Sequence, residues 1–83
     1  METKPENTDA ILKMLCVMFV SRSVTQDFKG KRRDALALEF FLGAVTGLQL
    51  SDHPEADRVR MFTVLLVATR GYSEIVKVAE RAD

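Results

Sequence analysis

The stretch Ala35–Leu50, ALALEFFLGAVTGLQL, constrains the fold more than any other part of the chain. It is long enough for about four helical turns at 3.6 residues each. On a helical projection Glu39, Thr46 and Gln49 fall in one strip. Leu36, Leu38, Phe40, Phe41, Val45 and Leu48 cover most of the remaining circumference. A helix that is apolar over most of its girth has to be covered on several sides. The sequence therefore predicts a central helix here, with the other segments packed around it. Gly43 and Gly47 stand one turn apart on that helix and cost it about 1 kcal/mol each relative to Ala. Such a cost implies a neighbouring backbone passing close along their ridge, with Phe40 and Phe41 as the aromatic packing residues beside it.

Eighty-three residues make one domain near the lower end of what folds without disulfides or metals. Hydrophobic residues are 47% of the chain, enough to exclude wholesale disorder. So short a chain has little interior, and its fully apolar helices cannot all be surrounded by their own neighbours. A homodimer or a protein partner is the natural place for the surplus. Twelve basic residues balance twelve acidic ones, so no global field drives the protein onto nucleic acid or lipid.

Residues 1–8 read as a flexible arm and residues 9–83 as a single helical domain. The opening METKPENTD is polar and of mixed charge, unlike the basic start of a signal peptide. The longest apolar run, Met14–Val20, falls far short of the ~20 residues that span a bilayer. Cys16 is the only cysteine, so no internal disulfide forms, and within LCVMF it reads as a small buried hydrophobe. A cytoplasmic location without membrane association is the expectation.

The pattern predicts an all-α fold, a compact bundle of four helices at about 9–27, 34–50, 54–69 and 73–82. Asn7 or Thr8 suits the first cap, with Asp9 in the first turn. In the first helix Met14 and Met18 lie one turn apart. They read first as flexible core filler, with an adaptable binding surface as the alternative. Gly30 suits the left-handed position that ends this helix. Asp52 and Glu55 fit a capping box before the third helix, and Pro54 falls in its first turn. His53 inside that cap reads as a capping or surface residue, since metal sites need three or four converging ligands. Met61, Phe62, Leu65 and Ala68 mark the expected buried face of the third helix, opposite Arg60, Thr63 and Arg70. Gly71 stops it, Ser73 caps the last helix, and Ile75, Val76 and Ala79 are expected to point inward.

No catalytic, metal or cofactor signature is present. The sequence lacks CxxC, HxxxH, a phosphate-cradling glycine loop and a Ser–His–Asp set, so the expectation is a non-enzymatic protein without cofactors. The third helix, Gly71 and the fourth have a helix–turn–helix outline. Yet Ala68 and Gly71 are three apart where the usual turn needs four, and the last helix carries Glu74, Glu80 and Asp83, which phosphates repel. Nucleic-acid binding thus rests on the basic turn Lys29–Arg33 and is the second reading.

Lys29, Lys31, Arg32 and Arg33 form the only dense charge run, with Phe28 beside it as an apolar anchor. Placed ahead of a helix start, these cations oppose its dipole, and Asp34 offsets only part of that. They are candidate partner-binding residues, together with Arg60 and Arg70. Along the chain the charges fall in blocks: acids without bases over Asp34–Asp57, bases without acids over Arg58–Arg70. Such blocks suit two antiparallel copies, or one partner with a complementary face. The favoured reading is a small protein–protein interaction protein, an adaptor, regulator or inhibitor of the kind phages and mobile elements encode, working as a homodimer. Its phage or mobile-element character is an analogy of size and class.

Overall fold

The computed structural model describes residues 7–81, which form a compact all-α bundle of four helices. Helix α1 spans Thr8–Thr25, α2 Gly30–Leu50, α3 Ala56–Val64 and α4 Tyr72–Ala79. A π-helical segment, Leu65–Arg70, continues α3 as far as Gly71. Residues 1–6 of the expected arm, and residues 82–83, lie outside the described part.

Asn7 caps α1, its Oδ1 accepting the Ala10 N–H at 2.8 Å. Thr8 belongs to the helix and not to an arm: it is buried, and its hydroxyl donates to the Glu55 carboxylate. That bond ties the start of α1 to the start of α3.

Two helix ends correct the sequence reading in the same way. Asp27, with φ 56°, takes the left-handed stop after α1 that was expected of Gly30. The next residue, Phe28, then donates its N–H to the Ser23 carbonyl at 2.9 Å, the closure of a Schellman motif. Asp52, with φ 55°, does the same after α2, and His53 N–H reaches the Leu48 carbonyl at 2.9 Å. Asp52 therefore ends one helix and does not cap the next. Its short polar side chain is among the few that visit this backbone region. His53 takes over the local role, its Nδ1 accepting the Glu55 N–H at 3.0 Å.

Helix α1 ends within the expected range, whereas α2 starts early. It begins at Gly30, four residues before the expected Asp34, and draws Lys31, Arg32 and Arg33 into its first turn.

The interior is supplied mainly by α1, through Ile11, Leu12, Leu15, Cys16 and Phe19. Helix α1 packs most extensively on α4, which adds Ile75 and Val78. Helix α2 buries Ala37, Phe41 and Val45, and packs Leu36, Phe40, Ala44 and Leu48 at the edge of the core. The expectation that α2 is covered on several sides needs correction, because Leu38, Leu42 and Leu50 are exposed. With α1 and α4 engaged on each other, too little chain remains to enclose it. Phe19 is the hub of an aromatic cluster, its ring centre 5.8 Å from Phe40, 6.1 Å from Phe41, 6.2 Å from Tyr72 and 6.3 Å from Phe28.

Gly43 and Gly47 do not lie at a helix crossing within the chain. A Cβ on either would meet nothing within 4 Å, and both residues are exposed. Nothing in the structure accounts for glycine at these positions.

The third helix is rotated from its expected orientation. Ala56, Val59, Thr63 and Leu66 are buried, whereas Met61, Phe62, Leu65 and Ala68 face out. Within α3 itself the buried Ala56, Val59 and Thr63 are smaller than the exposed Met61 and Phe62, and this buried face packs on α2 and α1. In α4, Ile75 is buried as expected, Val78 joins it, and Val76 and Ala79 are half-buried.

Candidate interaction surface

Helix α1 has two faces and both are apolar. One enters the core. The other carries Ala10, Met14, Val17, Met18, Ser21 and Val24, all exposed and none charged. Met14 is 52% exposed and Val24 73%. A surface helix ordinarily turns polar residues to water on this side. A shallow hollow of about 430 Å³ runs beside it, lined by Val17, Met18, Ser21, Arg22, Thr25 and Phe40. Met14 and Met18 thus belong to the surface and not to the core. Unbranched and flexible, methionine adapts to varied apolar partners.

Two further apolar areas are open. Helix α2 exposes Leu38 and Leu42, with Leu50 at its end 82% exposed. Along α3 and the π segment, Met61, Phe62, Val64 and Leu65 are exposed. Phe62, Leu65 and Leu66 line one wall of a groove of about 250 Å³, whose other walls are Asp9 and Leu12 of α1 and Glu74, Val78 and Arg81 near α4. Arg70 lines it as well, so the groove has an apolar floor and charges of both signs at its rim.

The basic turn is more engaged in the fold than its sequence suggests. Lys29 pairs with Asp27 at 3.6 Å, across a well-solvated gap. Arg32 stacks on the Phe28 ring at 5.4 Å, and Arg33 on the Tyr72 ring at 3.9 Å. Arg33 is half-buried and its Nε has no hydrogen-bond partner. Phe28 is buried under Arg32 and against Phe19, so it is part of the core and not a free anchor. Lys31 is exposed. Of the other candidate cations, Arg60 is exposed on α3, and Arg70 lines the α1–α4 groove, to which the basic turn contributes no residue.

Cys16 is fully buried, and burial pushes its thiol up to about 11, partly offset by the nearby positive charge of Arg81. It is protonated at neutral pH and therefore a poor nucleophile. Among the described residues no three of His, Cys, Asp and Glu come together in a way that could hold a metal ion. No helix among them is long and apolar enough to cross a membrane.

The signal for the α1 surface was present in the sequence as a helix apolar all round. What sequence alone did not give was which half the core would take. Of Gly43, Gly47, Phe40 and Phe41, singled out for packing, Phe41 lies in the core and Phe40 packs against it, while neither glycine meets a neighbour. No protein-family model, curated protein or solved structure matches the chain.

Proposed function

We propose that this is a small non-catalytic interaction protein, an adaptor, regulator or inhibitor, that acts by binding another protein and also self-associates as a homodimer. The observation that carries this reading is the apolar outer face of α1, exposed at Met14, Val17, Met18 and Val24 and edged by the bases Lys13 and Arg22. Large contiguous apolar patches are uncommon on monomers and mark interaction sites when they occur. A reducing, cytoplasmic setting suits a chain whose one cysteine is buried and unpaired.

Changing Met14 and Met18 together to Glu tests the reading. Both side chains already face water, so the fold should survive, while capture of protein partners present with the parent should be lost. Equal capture by parent and variant would overturn the role of this surface.

Nucleic-acid binding through Lys29, Lys31, Arg32 and Arg33 is the alternative. Three of the four are engaged within the chain, which weakens it. Binding to mixed-sequence DNA or RNA with a log–log salt slope of about −3 to −4, the value for four phosphates, would favour it instead.

A further inference from the structure

We propose that a second copy of the chain docks on the Leu38–Leu42 side of α2, its own α2 lying antiparallel across a two-fold axis near Leu42. This rests on the self-association reading above and specifies its interface. Leu38 and Leu42 share a helix side with Ala35, Thr46 and Gln49, with Glu39 at its edge, and all six are exposed. Two exposed leucines set among polar residues do not alone say what covers them. The charges at the two ends of α2 do.

Helix α2 is charged against its own dipole. Its first turn holds Lys31, Arg32 and Arg33 and no acid. Its last turn holds no base, and Asp52 follows directly after Ser51. Helices are stabilised by the opposite arrangement, acids at the N-terminus and bases at the C-terminus. Among the described residues neither Lys31 nor Asp52 has an ion-pair partner, and both are exposed. An antiparallel copy supplies what each end lacks. With Leu42 on the axis, position 31 of one copy faces position 53 of the other. Lys31 then stands at the negative end of the second α2 and by Asp52 of that copy. The two-fold repeats the contact at the other end. A parallel pairing would set like charges together, so the end charges also choose the orientation. A foreign partner would need base and acid spaced by the length of α2, and the chain itself already carries that spacing. The outer face of α1, edged by the bases Lys13 and Arg22, carries no such opposed pair and specifies no such occupant.

Sedimentation equilibrium of the full chain tests this. The parent should show a monomer–dimer equilibrium. Leu42→Glu places two carboxylates at the axis and should raise the dimer Kd at least ~30-fold. Lys31→Glu should raise it about tenfold, because the two-fold repeats the lost contact. Measured at a concentration where the chain is monomeric, the same Lys31→Glu should raise the melting temperature, since an acid in the first turn agrees with the dipole. A residue serving only the monomer would not move the two readings in opposite directions. An unchanged Kd in Leu42→Glu, with helicity intact by circular dichroism, overturns the proposal. Dissociation by Met14→Glu with Met18→Glu but not by Leu42→Glu overturns this interface and leaves self-association standing. A parent that stays monomeric throughout, yet captures a protein through α1, overturns the second copy and leaves the interaction reading intact.

Discussion

The guanidinium carbon of Arg33 sits 3.9 Å from the centre of the Tyr72 ring, and the Tyr72 hydroxyl lies 2.6 Å from Ser23 Oγ. One contact chain thus joins the start of α2, the start of α4 and the last turns of α1. A cation over an aromatic face is worth about 0.5–2 kcal/mol, more as water is excluded. Arg33→Gln should therefore lower the stability of the monomer by about 1 kcal/mol in denaturant unfolding, while Lys31→Gln does not lower it. Equal effects at the two positions would mean that the stack contributes nothing.

Gly43→Ala and Gly47→Ala should each stabilise the fold. The added methyl meets no atom, and alanine gains about 0.5–1 kcal/mol over glycine inside a helix. For a chain of this size that raises the melting temperature by about 4–8 °C per kcal/mol. A drop on either substitution would show that the space around these glycines is filled in solution.

Thr63 is fully buried and its hydroxyl has no hydrogen-bond partner. Leaving a buried donor unsatisfied costs about 1–3 kcal/mol. Thr63→Val keeps the branched shape and removes the orphan, so the urea midpoint should rise at constant m-value. A lower midpoint would reveal a bond to the hydroxyl that the fold makes in solution.

Stability should decline in alkali through Cys16. Its ordinary value of 9.0 applies to the unfolded chain, whereas in the fold the thiol is pushed up to about 11. Between these values the unfolded state has lost a proton that the native state keeps, so stability falls as pH rises through this window and is unaffected below it. Cys16→Ala should flatten this part of the pH profile. A native thiol that reacts with a disulfide reagent at pH 8 as fast as the unfolded chain would refute its burial.

The all-α bundle was legible in the sequence because long apolar segments with helix-stop signals leave few alternatives. The boundaries were less so, and for a shared reason. Glycine was taken as the left-handed stop, and Gly71 fills that place after the π segment, but the stops after α1 and α2 are Asp27 and Asp52, and Gly30 is left-handed at the start of α2. Asp52 looks like a helix start, so α3 was begun too early, and Gly30 looks like a stop, so α2 was begun too late. The orientation of α3 was unreadable for another reason. Its larger apolar residues lie on one side and Val59, Thr63 and Leu66 on another, and only the tertiary fit selects the smaller set. The candidate surface suffered from the same ambiguity, since apolarity on every side of α1 leaves its inward half undetermined.

Helices α1 and α4 are each other's main neighbours, and Asp9 and Arg81 line one groove. The bundle is therefore closed by its two ends, and its largest internal contact is also its most distant along the chain. Loop closure must precede that contact, and such long-range pairing slows folding relative to bundles built from successive hairpins. A circular permutant with residues 81 and 7 bridged by a short linker, and new ends opened in the turn between α2 and α3, would turn this distant pair into a local one. It should keep the native helicity and fold faster than the parent. A faster permutant of equal stability would show that the order of the helices sets the pace of folding, separately from the packing that sets stability.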